Sequence, residues 1–193
     1  MAVQGLGLIG QLALRLYLRV GAWPVVGIDP VPLRRKLALA GGAAAALDPA
    51  AGPVEAQLRE ALGGRLPEVC VDATGVAEAV PAAARLVERG GQVVVLGSPR
   101  GVAKEVDMYE LVHGRSLTLS GAHGSILDAR HPLHPDWSHP RALALLARFL
   151  ASKSLPVGDL VTHDVAPEGL HEAYRLLLER KEESLTARVR WSA

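Results

Sequence analysis

Apolar residues along this chain recur with two different spacings. Short runs rich in valine and isoleucine, such as "PVVGID" and "GGQVVVLGSP", have the composition of strands buried on both faces. Between these runs lie longer stretches in which apolar residues recur every three to four positions, as they do on the buried side of a helix. This alternation predicts a parallel sheet that is covered by helices on both faces.

The first two thirds of the chain contain six predicted strands. In order, they are "AVQ", "PVVGID", "AAALD", "EVCVDATG", "GGQVVVLGSP" and "SLTLSG". Helices are expected over 8–20, 32–40, 52–62 and 76–88, with a short one near 107–112. The predicted fold class is therefore α/β, with a doubly wound six-stranded sheet of the Rossmann type in the order 3-2-1-4-5-6.

The pattern changes after Gly121. The stretch "AHGSILDARHPLHPDWSHP" predicts a long loop, and it is followed by a helix over 141–151 and a strand in "LVTHDV". An amphipathic helix over 167–180 and a strand in "TARVRW" complete the chain. We therefore expect a Rossmann domain over 1–151 and a separate C-terminal α/β segment over 152–193.

Composition narrows the classes of protein. With 193 residues, 49% of them hydrophobic and a mean hydropathy of +0.20, the chain is expected to fold as one domain with a small addition. The 21 basic and 20 acidic residues are interspersed and give a net charge of +1, so neither nucleic acid nor a membrane surface is expected as a partner. A single cysteine, Cys70, argues against a disulfide framework and favours the cytoplasm; as part of a buried strand, it is expected to be an inert thiol.

A glycine-rich turn at the start of the chain carries the strongest functional signal. Gly5, Gly7 and Gly10 form the pattern G-x-G-x-x-G between a predicted strand and a predicted helix. The first glycine permits a tight turn, the second lets a pyrophosphate approach the backbone, and the third lets the helix pack on the strand. The start of the helix then offers unpaired N–H groups to phosphate.

An acidic residue follows at the end of the second strand. Asp29 lies 19 residues beyond Gly10, where a carboxylate can accept the ribose hydroxyls of an adenosine. That carboxylate would repel a 2′-phosphate, so NAD is favoured over NADP, although Arg34 or Arg35 could accept the phosphate. The alternatives are a turn used only for packing, with Asp29 as a helix cap, and a methyltransferase, for which we find no closing antiparallel hairpin.

Together these stretches resemble the medium-chain dehydrogenase/reductase superfamily, which contains the zinc-type alcohol, polyol and threonine dehydrogenases. The similarity runs through "VQGLGLIG", "VVGIDPVPLRRKLALAGGA", "VCVDATG", "RGGQVVVLGSP" and "SLTLSGAHGS" to the closing "AYRLLLERKEESLTARVRW". The resemblance implies hydride transfer between a secondary alcohol and a nicotinamide coenzyme. It also implies a homodimer or tetramer, often through pairing of the sixth strands.

The resemblance also implies a set of coenzyme-binding residues. The turn that would hold the pyrophosphate consists of Gly5, Leu6, Gly7, Leu8, Ile9 and Gly10. Asp29 and Arg34 would contact the adenine ribose, and Thr74 and Gly75 would lie near the nicotinamide ribose. The backbone around Leu96, Gly97 and Ala122 would contact the carboxamide.

Family members have a catalytic domain with the zinc ligands ahead of the glycine turn, and this sequence has no counterpart of it. We therefore expect an incomplete enzyme with little activity alone. We also expect the strands in "LVTHDV" and "TARVRW" to lack their usual sheet and to expose apolar edges that invite pairing. Two hypotheses remain open: a split enzyme with a separately encoded catalytic domain, and a non-catalytic module that binds NAD or another protein. The resemblance implies zinc only in the missing domain. At His131, His134 and His139 we expect no metal site, because the neighbouring prolines would hold these side chains apart.

Overall fold

Short strands form the centre of the molecule. The computed structural model describes residues 1–104, 106–124 and 137–191. The six strands of the main sheet are β1 (Ala2–Gln4), β2 (Val26–Ile28), β3 (Ala45–Leu47), β4 (Val69–Asp72), β5 (Gln92–Val95) and β6 (Thr118–Gly121). They pair in parallel in the order β3-β2-β1-β4-β5-β6. The predicted fold class and strand order are therefore confirmed.

Helices connect these strands. Their bounds are α1 (Leu8–Arg19), α2 (Pro32–Ala40), α3 (Val54–Ala61) and α4 (Ala79–Arg85), with a π-helical turn over Tyr109–His113. Further along the chain lie α5 (His139–Ala151), a 3-10 turn over Gly158–Leu160, a second 3-10 turn over Pro167–Gly169 and α6 (Leu170–Glu179). Among the described helices, none combines the length and apolar character that crossing a membrane requires.

The central position of β1 sets the geometry of the sheet. Ala2 is opposite Val26 on β2 and Cys70 on β4, so the first strand pairs with strands that come later in the chain on both sides. Apolar side chains on both faces form two buried clusters. One includes Leu58, Val87 and Val93, and the other includes Leu6 and Leu14. The carboxyl ends of β1, β2 and β4 consequently meet at one edge, where the chain turns into α1 and α2.

Four helices begin at positions that differ from the prediction. α3 begins at Val54 instead of residue 52, and α6 begins at Leu170, after the 3-10 turn at the predicted start. We expected a helix from residue 76, but Val76 forms an isolated bridge with Arg100, and α4 starts at Ala79. We expected a helix from residue 141, but α5 starts at His139 because the Ser138 hydroxyl caps it by accepting from the Arg141 N–H. The start of α5 thus depends on a side-chain hydrogen bond outside the apolar repeat.

The last two strands pair with each other. β7 (His163–Val165) and β8 (Ala187–Val189) form a two-stranded parallel sheet in which His163 is opposite Ala187. We expected these strands to lack their usual sheet and to expose edges that invite pairing; in the structure "LVTHDV" and "TARVRW" pair with each other. The domain boundary at residue 151 stays a prediction.

Candidate functional site

A crevice opens at the carboxyl ends of β1, β2 and β4, where ligands of doubly wound sheets bind. It encloses about 720 Å³. Five of the residues singled out from the sequence line it: Gly5, Gly7, Asp29, Arg34 and Thr74. Residues that are distant in the chain thus meet because their strands are neighbours in the sheet.

The glycine turn leaves no room for side chains at two of its three glycines. Gly5 has φ +84°, and a Cβ there would lie 2.9 Å from the backbone N of Thr74. A Cβ on Gly10 would lie 1.8 Å from the Gly5 carbonyl oxygen, so only glycine lets α1 approach the turn this closely. Gly7 differs, because a Cβ there would meet no described atom within 4 Å. Space in front of the helix is therefore open.

The first turn of α1 faces that open space. Its N-cap is Gly7, which has no side-chain capping bond in the described structure, and its first turn contains no acidic residue. The first amides of a helix have no intrahelical acceptor and carry a partial positive charge. The start of α1 can therefore bind an anion through its backbone.

Asp29 is held beside this turn by backbone donors. Its side chain is 3% exposed, and its Oδ2 accepts the Leu6 N–H at 2.8 Å, while Oδ1 accepts the Val31 N–H at 2.8 Å. A carboxylate oxygen can accept more than one hydrogen bond, so Asp29 retains acceptor capacity toward the crevice. The Leu6 amide is engaged by Asp29, which leaves the amides that follow it for an anion.

The two arginines after Asp29 differ in their partners. Arg35 pairs with Asp48 at 2.9 Å and also donates to the Asp29 carbonyl oxygen at 2.9 Å. The Arg34 Nη1 lies 3.5 Å from Asp29 Oδ2, and its side chain lines the crevice. Arg34 is therefore the arginine that shares a wall with the acidic residue.

A second turn forms the opposite wall. The Thr74 hydroxyl donates to Asp72 Oδ1 at 2.8 Å and accepts the Val76 N–H at 3.1 Å. Asp72 is fully buried, and this burial raises the pKa of its carboxyl above the ordinary value. Gly75 follows with φ +71° and lies against Gly97, whose Cβ would be 2.6 Å from the Gly75 N. Hydrogen bonds from Thr74 thus fix the shape of this wall.

Other predicted residues lie elsewhere. Ile9, Leu96 and Ala122 line a separate apolar cavity of about 310 Å³. The Leu6 side chain is fully buried in the core, whereas Leu8 on the first turn of α1 is partly exposed. The crevice therefore unites Gly5 and Gly7 of the predicted pyrophosphate turn with Asp29, Arg34 and Thr74. Of the other predicted residues, Ile9, Leu96 and Ala122 face another space, and Gly97 lies against Gly75.

Sequence reasoning missed two glutamines. Gln4 lines the crevice and donates to the Ala79 carbonyl oxygen at 3.3 Å. Gln11 is fully buried on α1 and donates to two backbone carbonyls. The available signal at Gln11 was a polar residue directly before the apolar stretch "LALRLYL".

The described residues do not fit a catalytic metal. No three His, Cys, Asp or Glu side chains converge in the ranges that the structure describes. His131 and His134 lie outside those ranges. Burial raises the pKa of the Cys70 thiol to about 12, so this thiol stays protonated at neutral pH and is a poor ligand. The described residues therefore offer no ligand set for zinc.

A doubly wound sheet with a glycine turn and an acidic residue at its central crevice defines a Rossmann-type fold. The family model described as "Zinc-binding dehydrogenase" matches residues 9–134. The chain belongs to this family of oxidoreductases, part of the medium-chain dehydrogenase/reductase superfamily.

The relatives of this chain include two dehydrogenases of Escherichia coli. D-guloside 3-dehydrogenase of Escherichia coli is 26% identical over 181 residues, 94% of this chain and 51% of that protein. L-galactonate-5-dehydrogenase of Escherichia coli is 29% identical over 172 residues, 89% of this chain and 46% of that protein. The chain thus spans about half the length of these relatives.

A solved structure shows the same fold. An alcohol dehydrogenase of Escherichia coli CFT073, complexed with NADH, superposes with a TM-score of 0.81 at 18% identity. The match covers 98% of this chain and 51% of the other. Similarity thus includes the C-terminal segment as well as the six-stranded sheet.

Proposed function

We propose that this chain is the NAD(H)-binding part of a zinc-type alcohol or polyol dehydrogenase. The observation that carries the proposal is the 2.8 Å hydrogen bond from the Leu6 N–H to Asp29 Oδ2, which fixes a carboxylate beside a helix start open to anions. The relatives named above support a dehydrogenase, and the similar structure was solved with NADH.

The glycine turn would hold the diphosphate of the coenzyme. The amides of Gly7, Leu8, Ile9 and Gly10 belong to the start of α1, where the helix dipole favours a negative charge. The open space at Gly7 lets the phosphate oxygens approach the backbone closely.

Asp29 would accept the hydroxyls of the adenine ribose. Its carboxylate would repel a 2′-phosphate, which favours NAD over NADP. Arg34, at 3.5 Å from this carboxylate, would lie along the same ribose. Arg35 does not change this preference, because its guanidinium already pairs with Asp48 and the Asp29 carbonyl.

The remaining predicted residues would place the reactive end of the coenzyme. Thr74 and Gly75 would lie near the nicotinamide ribose, and the backbone around Leu96, Gly97 and Ala122 near the carboxamide. When bound, the nicotinamide ring donates or accepts the hydride. We expect little activity from this chain alone, since its described residues supply no Lewis acid to polarise an alcohol oxygen.

The edge strand β6 would provide a contact between copies of the chain. Among the described strands it has one neighbour, β5, and most of its residues are exposed. A strand of this kind can pair with another chain, so we propose a homodimer or tetramer.

Glycine-to-alanine substitutions test the coenzyme site. Gly7 has φ −63°, so alanine fits the backbone, and its methyl group would occupy the open space in front of α1. We expect Gly7→Ala to weaken NADH binding about tenfold or more in calorimetry, because the diphosphate loses its close approach. The melting temperature should stay unchanged.

Gly158→Ala is the matched control, since a Cβ at Gly158 also meets no described atom within 4 Å and Gly158 does not line the crevice. It should leave NADH affinity unchanged. Failure of the wild-type chain to bind NADH, or equal affinities in the wild type and Gly7→Ala, would contradict the proposal. Binding without activity after addition of a separately produced catalytic domain would favour the non-catalytic alternative.

A further inference from the structure

Gln11 is a buried polar residue on the helix that starts at the glycine turn. Its side chain is 0% exposed. The amide Nε2 donates to the Leu6 carbonyl oxygen at 3.2 Å and to the Arg34 carbonyl oxygen at 2.7 Å. Gln11 therefore connects the glycine turn to the first turn of α2.

The two connected residues also meet at Asp29. The Leu6 N–H donates to Asp29 Oδ2 at 2.8 Å, and the Arg34 Nη1 lies 3.5 Å from the same oxygen. Gln11 thus closes a ring of four residues in which every contact is polar: Asp29, Leu6, Gln11 and Arg34. The ring fixes the separation between the carboxylate and the guanidinium on one wall of the crevice.

Packing does not account for a glutamine here. Of the next buried positions of α1, Ala13 and Leu14 are apolar, and Arg15 is paired with Asp159. The Gln11 Oε1 is buried and has no hydrogen-bond partner in the described part of the chain. An unpaired buried oxygen costs free energy, so an apolar side chain would serve a purely packing role better. What the amide supplies is its pair of donors to the two carbonyls.

We propose that Gln11 is a positioning residue that sets the selectivity of the crevice between NAD-type and NADP-type dinucleotides. This proposal rests on the proposed function, and it adds a determinant that lies outside the ribose contacts. Gln11 holds the backbone of Arg34 against the glycine turn, which keeps the guanidinium directed at Asp29. Asp29 then keeps its place beside the ribose 2′-position.

Loss of the two Gln11 hydrogen-bond donors should change the selectivity between NADH and NADPH. The first turn of α2 would no longer be tied to Leu6, so Arg34 could move away from Asp29 and pair with a 2′-phosphate. The carboxylate would also be less firmly placed to accept ribose hydroxyls. Both effects favour NADPH relative to NADH.

Gln11→Met tests the proposal, because methionine has a similar length and shape but no N–H donor. NADH and NADPH are each titrated into the wild type and the variant by calorimetry. We expect the ratio of the NADPH Kd to the NADH Kd to fall about fivefold, the effect of losing about one hydrogen bond. If Gln11→Met does not fold, Gln11→Asn, whose amide is one methylene too short to reach both carbonyls, should lower the same ratio.

Ser184→Ala is the matched control. The Ser184 hydroxyl is also buried and bridges two carbonyls, those of Leu176 and Arg180, but it lies in the C-terminal segment. Ser184→Ala should lower the melting temperature and leave the ratio of the NADPH Kd to the NADH Kd unchanged. Equal weakening of both dinucleotides by Gln11→Met, with an unchanged ratio, would show a structural role only and overturn the inference. A wild-type chain that binds neither dinucleotide would instead remove the proposed function itself.

Discussion

The two parallel sheets of this chain are stabilised in different ways. The six-stranded sheet has buried apolar clusters on both faces, and side chains such as Leu14 and Val93 are inaccessible to solvent. The two-stranded sheet has half-buried or exposed residues, and the nearby helix α6 exposes Leu170, Tyr174 and Leu178. Apolar burial thus stabilises the first sheet on both faces, whereas the C-terminal segment buries only a few described apolar residues, such as Leu155, Leu160 and Ala173, and depends more on other contacts.

An ion pair between α1 and the C-terminal segment provides such a contact. Arg15 on α1 is 3% exposed and forms a bidentate pair with Asp159, at 2.7 and 2.6 Å. Its guanidinium also donates to the Pro156 carbonyl oxygen. This arginine attaches the C-terminal segment to the same helix that starts at the glycine turn. The comparison therefore predicts that truncating a buried apolar side chain destabilises the six-stranded sheet. Removing a charged partner should instead destabilise the C-terminal segment.

The largest expected effect is that of truncating a buried leucine. Leu14→Ala removes a fully buried side chain from the core cluster on one face of the six-stranded sheet. We expect the free energy of unfolding to fall by about 3 kcal/mol, because a cavity remains where the methyl groups were. Urea denaturation followed by circular dichroism measures this change.

Leu178→Ala is the matched control for this prediction, since Leu178 is a helical leucine that is 71% exposed. It should change the free energy of unfolding by less than about 0.5 kcal/mol. Similar losses for the two leucines would show that Leu178 is also packed against apolar side chains, contrary to the comparison.

A smaller effect is expected from breaking the ion pair. Asp159→Asn leaves the buried Arg15 guanidinium without its charged partner. We expect a cost of about 1–2 kcal/mol, less than for a fully buried pair, because Asp159 is 42% exposed. Hydrogen exchange should accelerate around residues 155–165 and remain slow in β1 and β4.

The control for this substitution is Asp164→Asn. Asp164 pairs with Arg188 and Arg190 within the C-terminal segment, and all three side chains are solvent-exposed. This variant should leave exchange near Asp159 unchanged. Uniform acceleration across the whole chain in Asp159→Asn would mean that the ion pair stabilises both sheets together.

The smallest expected effect is a pH dependence of opposite sign in the two regions. Hydrogen bonds from Arg15 lower the pKa of Asp159 below 3.8, so its stabilisation is present above pH 3.8 and is lost as the pH falls through the lowered value. Burial raises the pKa of Asp72 above 3.8. Its ionisation therefore destabilises the fold as the pH rises, and this cost is absent below pH 3.8.

Asp72→Asn tests the pH dependence of stability that is predicted for Asp72. Its free energy of unfolding relative to wild type should increase between about pH 4 and about pH 7, because the variant has no buried charge to form. Asp159→Asn should change in the other direction over the acid range. Urea denaturation at several pH values measures the pH dependence of both variants. A parallel dependence in the two variants would refute the opposite pKa shifts of Asp72 and Asp159.

The sequence predicted the fold well because its signals are local. Strands and helices alternate with clear spacing, and Gly5 and Gly10 mark a turn that only glycine allows, as their close approaches show. The predicted starts of the helices were less accurate. Val76, where a helix was predicted to begin, forms a bridge with Arg100 instead, a contact that no local pattern records.

The candidate site could be predicted only in part. Gly7 and Asp29 carry a recognisable spacing, and the structure places both in one crevice. Leu96 and Ala122 line another cavity, and the side chain of Leu6 is in the core. Gln11 could not be assigned a role from the sequence, since its two acceptors become neighbours only when α1 and α2 pack together.

The sequence by itself determined the alternation of strands and helices, the glycine turn and the position of an acidic residue after β2. These follow from backbone preferences and apolar spacing within a few residues. Only the tertiary structure decided which polar groups meet, as in the ring through Gln11 and in the pair of Arg15 with Asp159, 144 residues apart. Such contacts depend on how folded elements pack, because a hydrogen bond over that separation forms only after the intervening chain has been ordered.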